Sequence, residues 1–86
     1  MHPIILTHKG KAIKGFIEAS TQDYPHFFWC FLDDAELNEE AGVCLSFKLS
    51  DDGLLTPTDF YPPEHQELIE HLKGIVEQYI HGSRVL

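Results

Sequence analysis

The chain has 86 residues, a hydrophobic fraction of 43%, six Phe, three Tyr and one Trp, and a formal charge of −8. That length holds one small domain, residues 1–86, and the apolar content excludes a disordered chain. The acidic balance lacks the basic footprint of a nucleic-acid binder and disfavours anionic membranes, whereas it suits a basic protein partner.

The chain opens on a short apolar run, Ile4 to His8, preceded by no basic head. A signal peptide needs an apolar stretch of about 7–15 residues behind a positive charge. Nothing later approaches the roughly 20 apolar residues that span a bilayer. A cytoplasmic protein with no membrane partner is therefore expected. Lys9-Gly10 supplies a turn. Lys11 to Ala19 then alternates, with Ile13, Gly15, Ile17 and Ala19 on one side and Ala12, Lys14, Phe16 and Glu18 on the other. That period predicts a strand.

Ser20 to Asp23 is a polar connection, and the run Phe27-Phe28-Trp29-Cys30-Phe31-Leu32 follows. Aromatic residues favour strands, and a run without alternation predicts burial on both faces. Asp33 to Gly42 carries five acids and is expected as a solvated loop or one turn of helix. Val43 to Ser50 alternates again, Val43, Leu45, Phe47 and Leu49 against Cys44, Ser46, Lys48 and Ser50. Asp51-Asp52-Gly53 is a hairpin turn, and Leu54 to Thr56 can pair back until Pro57 stops it.

The last third is one amphipathic helix, Pro63 to His81. Leu68, Ile69, Leu72, Ile75, Val76, Tyr79 and Ile80 fall on one stripe, opposite Glu67, Glu70, Lys73, Glu77, Gln78 and His81. The steps of three and four match a period of about 3.6 residues. Pro63 suits the first helical turn, and Gly82 is placed to cap the end. The fold class is α+β: an antiparallel meander of four or five strands with one C-terminal helix on one face. Leu68, Leu72, Ile75, Val76 and Tyr79 are expected against Val43, Leu45, Phe47 and Leu49.

No segment carries a signature of chemistry. His65, His71 and His81 are spaced by six and ten residues. Metal ligands on one helix face need steps of about three or four, so no zinc site is expected. Within the acidic stretch, aligning Asp34 to the first position of a calcium loop puts Glu39 where glycine is required and Leu45 where the bidentate glutamate is required. Gly10 to Gly15 lacks the spacing of a phosphate loop, and no cofactor is expected. His26 and Cys30 share a strand face but stand about 13 Å apart, too far for a thiol and its base. Cys30 and Cys44 would face each other if paired residue numbers sum to about 74, and a slip of one residue would separate them.

These features direct the functional expectation to surface rather than chemistry. The leading reading is a non-enzymatic interaction module of inhibitor, immunity or adaptor type, forming a homodimer and holding a basic partner. Its candidate interface is Phe27, Phe28, Trp29 and Phe31 with the acids Asp33, Asp34, Glu36, Glu39 and Glu40. Two dimer routes are open, an apolar seam over Phe27 to Leu32 or contact between Lys9 to Lys14 and acids of a second copy. Residues 1–22 balance to +2 (three Lys, one Glu), against −10 for the rest (three bases, thirteen acids). The alternative is a small-molecule binder or minor enzyme with a pocket lined by Tyr24, Trp29, Phe31 and Tyr61.

Overall fold

In the computed structural model, which describes residues 2–42 and 44–83, five strands pair antiparallel in chain order. They are β1 His2–His8, β2 Lys11–Ser20, β3 His26–Leu32, β4 Cys44–Leu49 and β5 Leu55–Pro57. Helix α1, Ala35–Ala41, lies between β3 and β4, and α2, Gln66–Ser83, closes the chain after a short 3₁₀ turn, Pro63–His65. The α+β meander with a C-terminal helix is therefore the architecture. Val43, assigned to the helix-facing side of its strand by alternation, lies outside the described residues.

Local chemistry sets the connections. Lys9 and Gly10 both adopt positive φ, 52° and 75°, and close β1 onto β2 with His8 opposite Lys11. A two-residue turn of that hand matches the twist of the strands it joins. Between β4 and β5, Gly53 takes φ 88°, its N–H donates to the Ser50 carbonyl, and the Asp52 carboxylate accepts from the Leu54 N–H at 3.1 Å. Beyond Pro57, the Thr58 N–H still donates to the Ser46 carbonyl, so the pairing outlasts the proline by one residue.

One face of the sheet is the core. Leu6, Ile13, Ile17, Phe28, Cys30, Leu32, Leu45, Phe47, Leu49 and Leu55 are buried on it. Gly15 occupies the same face where β2 and β3 approach closely. A Cβ there would stand 2.2 Å from the Phe31 carbonyl oxygen, an overlap only glycine avoids.

α2 lies across this face. Its deepest residues are Leu68, Ile69, Leu72, Val76 and Ile80, while Ile75 and Tyr79 are only partly buried. The expected contact set is shifted accordingly. Ile75 and Tyr79 flank the β1 edge beside His2 and Ile4, where the sheet runs out, whereas Ile80 reaches Leu49 and Leu55. Gly82 lies within the helix rather than capping it.

The acidic segment is two turns of helix, not a loop or a single turn. Asp34 is the N-cap, accepting from the Leu37 N–H at 3.1 Å, and Gly42 at φ 98° ends the helix by donating to the Asn38 carbonyl. Leu37 is buried in the core cluster, so α1 covers the same face as α2.

Candidate interaction surface

Both helices cover one side of the sheet, and no described element lies on the other. Strand alternation places Pro3 and Ile5 of β1, Lys14, Phe16 and Glu18 of β2, Phe27, Trp29 and Phe31 of β3, and Cys44, Ser46 and Lys48 of β4 on the open side. Cross-strand pairing sets Phe16 beside Phe31, with ring centroids 4.9 Å apart and planes at 21°. Phe27 and Trp29 stack along β3 at 6.1 Å. All four rings remain partly exposed, shielded mainly by one another, and Ile5 next to them is 63% exposed. Lys14, Glu18 and Lys48 border the rings with charges of both signs.

Each residue expected at the interface now has a place. Phe27, Trp29 and Phe31 are together on the open face. Phe28 is not with them: it is fully buried on the helix side, in edge contact with Tyr79. The burial of Phe27 to Leu32 alternates strictly, so the run is one core row and one open row. Asp33, Glu36, Glu39 and Glu40 are exposed at the end of the sheet where β3 leaves it. Asp34 is withdrawn from that patch, with its side chain 5% exposed and one carboxylate oxygen 2.6 Å from Lys11 Nζ. The Lys11 hydrogen bond, with help from the Leu37 N–H, holds the Asp34 carboxyl below the usual range, and the same contact raises the lysine. This ion pair fastens α1 to the β1–β2 hairpin and occupies one of the lysines of the charged dimer route.

The four residues of the alternative pocket do not converge. Trp29 and Phe31 are on the open face, Tyr61 belongs to the core cluster, and Tyr24 stacks on His26 at 4.0 Å. His26 is buried and its Nδ1 lies 3.0 Å from the Asp23 carbonyl oxygen, which anchors the entry to β3.

The cysteines separate. Paired residues of β3 and β4 sum to 75, so Cys30 faces Leu45 and Cys44 faces Phe31. The one-residue difference puts the two thiols on opposite faces. Burial, followed by the nearby Cys44, pushes the Cys30 thiol up to about 12. Burial also raises Cys44, with the Asp59 carboxylate adding to it. Neither environment favours the thiolate that nucleophilic chemistry needs.

The histidines scatter. His65 is buried in the 3₁₀ turn before α2, His71 and His81 are exposed, His2 packs at a tilt on Tyr79 with ring centroids 4.8 Å apart, and His8 is buried at the hairpin end. Among the described residues no three His, Cys, Asp or Glu side chains are grouped so as to hold a metal ion, and no described helix is long and apolar enough to cross a membrane. Comparison of the chain with protein-family models, with curated proteins and with solved structures gives no match.

Proposed function

We propose that this protein is a non-enzymatic interaction module that holds a basic protein partner on the open face of its sheet. The observation that carries the reading is the two stacked aromatic pairs, Phe16–Phe31 and Phe27–Trp29, on a face that neither helix covers. A contiguous apolar patch of more than a few hundred Å² on a small domain is a mark of an interface, and aromatic residues are the usual anchors of one. Asp33, two residues beyond Phe31 and beside Lys14 and Phe16, would meet a basic group at the rim of such a partner, whereas Glu36 and Glu40 of α1 lie on the helix side with Lys9, Lys11 and Ile13. A chain of net charge −8 favours an oppositely charged occupant on this face over a second copy of itself. An inhibitor or adaptor role suits this arrangement.

The test is affinity capture from the native host with two baits, the wild type and a Trp29→Ser/Phe31→Ser variant matched to it in circular dichroism. The proposal expects a basic protein retained by the first and lost from the second. Identical captures by both baits would refute the assignment of the face.

A further inference from the structure

We infer that the protein self-associates through the edge of β1, which no other described strand pairs, adding the β1 of a second copy antiparallel about a two-fold axis at Ile5. This goes beyond the reading of the open face and uses main chain rather than aromatic side chains. The other edge of the sheet is short: β5 has three residues, Leu55–Pro57. β1 has seven residues, His-Pro-Ile-Ile-Leu-Thr-His, with no Lys, Arg, Asp or Glu to deter pairing. A long uncharged apolar edge is the template that natural sheets normally protect.

The register fixes which groups the edge offers. The Asp33 N–H donates to the Lys14 carbonyl at 2.7 Å, so the main chain of Lys14 faces β3. Its neighbours Ile13 and Gly15 therefore face β1, where they oppose Leu6 and Ile4. The remaining residues, Pro3, Ile5 and Thr7, direct their main chain to the open edge. Pro3 thus stands where its missing N–H breaks no bond within the sheet.

A two-fold at Ile5 suits this edge. Each Ile5 N–H would meet the partner's Ile5 carbonyl, and each Thr7 N–H the partner's Pro3 carbonyl. The proline's missing donor is then the only gap on each side. Ile5, 63% exposed, would be covered by the partner's Ile5. Below the sheet the apolar flank of Ile4, Ile75 and Tyr79 would be covered in the same way. β1 itself carries no Lys, Arg, Asp or Glu, so the seam sets no like-charged side chains of the two copies opposite one another. The pairing also carries the Lys9 turn of one copy to the His2 end of the other, beside the C-terminal turn of α2. The carbonyl end of a helix attracts cations.

The experiment is light scattering at high micromolar concentration on four proteins: wild type, Ile5→Lys, Thr7→Pro and Trp29→Ser/Phe31→Ser. Thr7→Pro removes an N–H that points away from the sheet, together with an exposed side chain. The inference expects twice the 9.8 kDa chain mass for the wild type and the face variant, and monomers for the two edge variants with unchanged circular dichroism. Amide exchange supplies the second readout: Ile5 and Thr7 gain protection as concentration rises, while Leu6 is protected throughout. A monomeric wild type would overturn the inference, as would a dimer lost in the face variant but retained in Ile5→Lys. The partner capture above is scored separately, so failure at the edge leaves the face reading standing, and the converse holds.

Discussion

Truncating Leu72 to alanine probes the junction of helix and sheet. Leu72 is fully buried, as are Leu68 and Val76 on either side of it along the stripe and Phe28 and Phe47 in the sheet core. The change removes three carbons, a transfer loss of about 2.4 kcal/mol at about 0.8 kcal/mol per carbon. A residual cavity adds to that. Between an 18-residue helix and a paired sheet the walls collapse poorly, which places the total near 3–4 kcal/mol, within the about 2–5 found for buried leucines. Alanine's better helix propensity returns only about 0.2 kcal/mol. A domain of this size has about 4–13 kcal/mol of stability, so the variant loses between about a quarter of it and nearly all of it. The melting temperature should fall by roughly 12–32 °C. The assay is urea titration followed by far-ultraviolet circular dichroism, with exposed Gln78→Ala as the control, expected within about 0.5 kcal/mol of wild type. An unchanged slope and a lowered midpoint are expected for Leu72→Ala. Equal midpoints for the two variants would refute the assigned helix faces.

Gly15→Ala should destabilise by about 3 kcal/mol or more, because its Cβ would overlap the Phe31 carbonyl and strands cannot part without breaking their ladder; the same titration measures it. The Asp34 and Asp52 carboxyls are held low by Lys11 and Ser50 respectively, so their stabilisation is complete above the ordinary carboxylate value of 3.8 and is lost as pH falls through their lower folded values. Lys11 is raised, so its share is complete below 10.5 and is lost as pH rises through its folded value; Asp34→Asn should flatten both limbs of the stability–pH curve measured by thermal melts. A maleimide reagent should modify Cys44 well before Cys30 in the native protein and both at once in denaturant, and mild oxidation should yield no Cys30–Cys44 bridge, as read by mass spectrometry.

Periodicity made most of this fold legible. The alternation from Lys11 to Ala19 and the stripe from Leu68 to Ile80 each require one covered face, and each has one. The Lys-Gly turn was readable because glycine at the second position permits positive φ, though Lys9 also had to adopt it. Where the reading fell short, the cause was geometry that one strand or helix cannot encode alone. Phe28 and Trp29 look alike in a run of apolar residues; only pairing with β2 and β4 decides which faces the helix. Ile75 and Ile80 lie on one stripe, and their difference in burial comes from where the sheet ends. The helix α1 did leave a signal: Asp34 before Ala-Glu-Leu-Asn-Glu-Glu-Ala and then Gly42 is a capped helix in miniature. Its acids drew it toward a solvated reading, yet Asp34 is among the most buried polar residues because Lys11 reaches it.

The open face and the open edge meet at one residue. Ile5 turns its side chain onto the aromatic side of the sheet while its main chain faces away from β2. A two-fold axis that pairs β1 with its copy must stand perpendicular to the sheet, since only that orientation lets antiparallel strands of one register exchange bonds equally. Such an axis leaves both open faces pointing the same way. The five strands of each copy would then continue into one sheet, with an aromatic row on either side of the Ile5 seam and the helices all beneath it. Edge pairing therefore does not compete with the face for an occupant; it presents the face twice. A partner with two basic apolar patches would gain avidity from that doubling without any new contact within each site. The bare side of the sheet, left open because both helices lie on the other, and the uncharged first strand would on the proposed pairing form parts of the same binding surface.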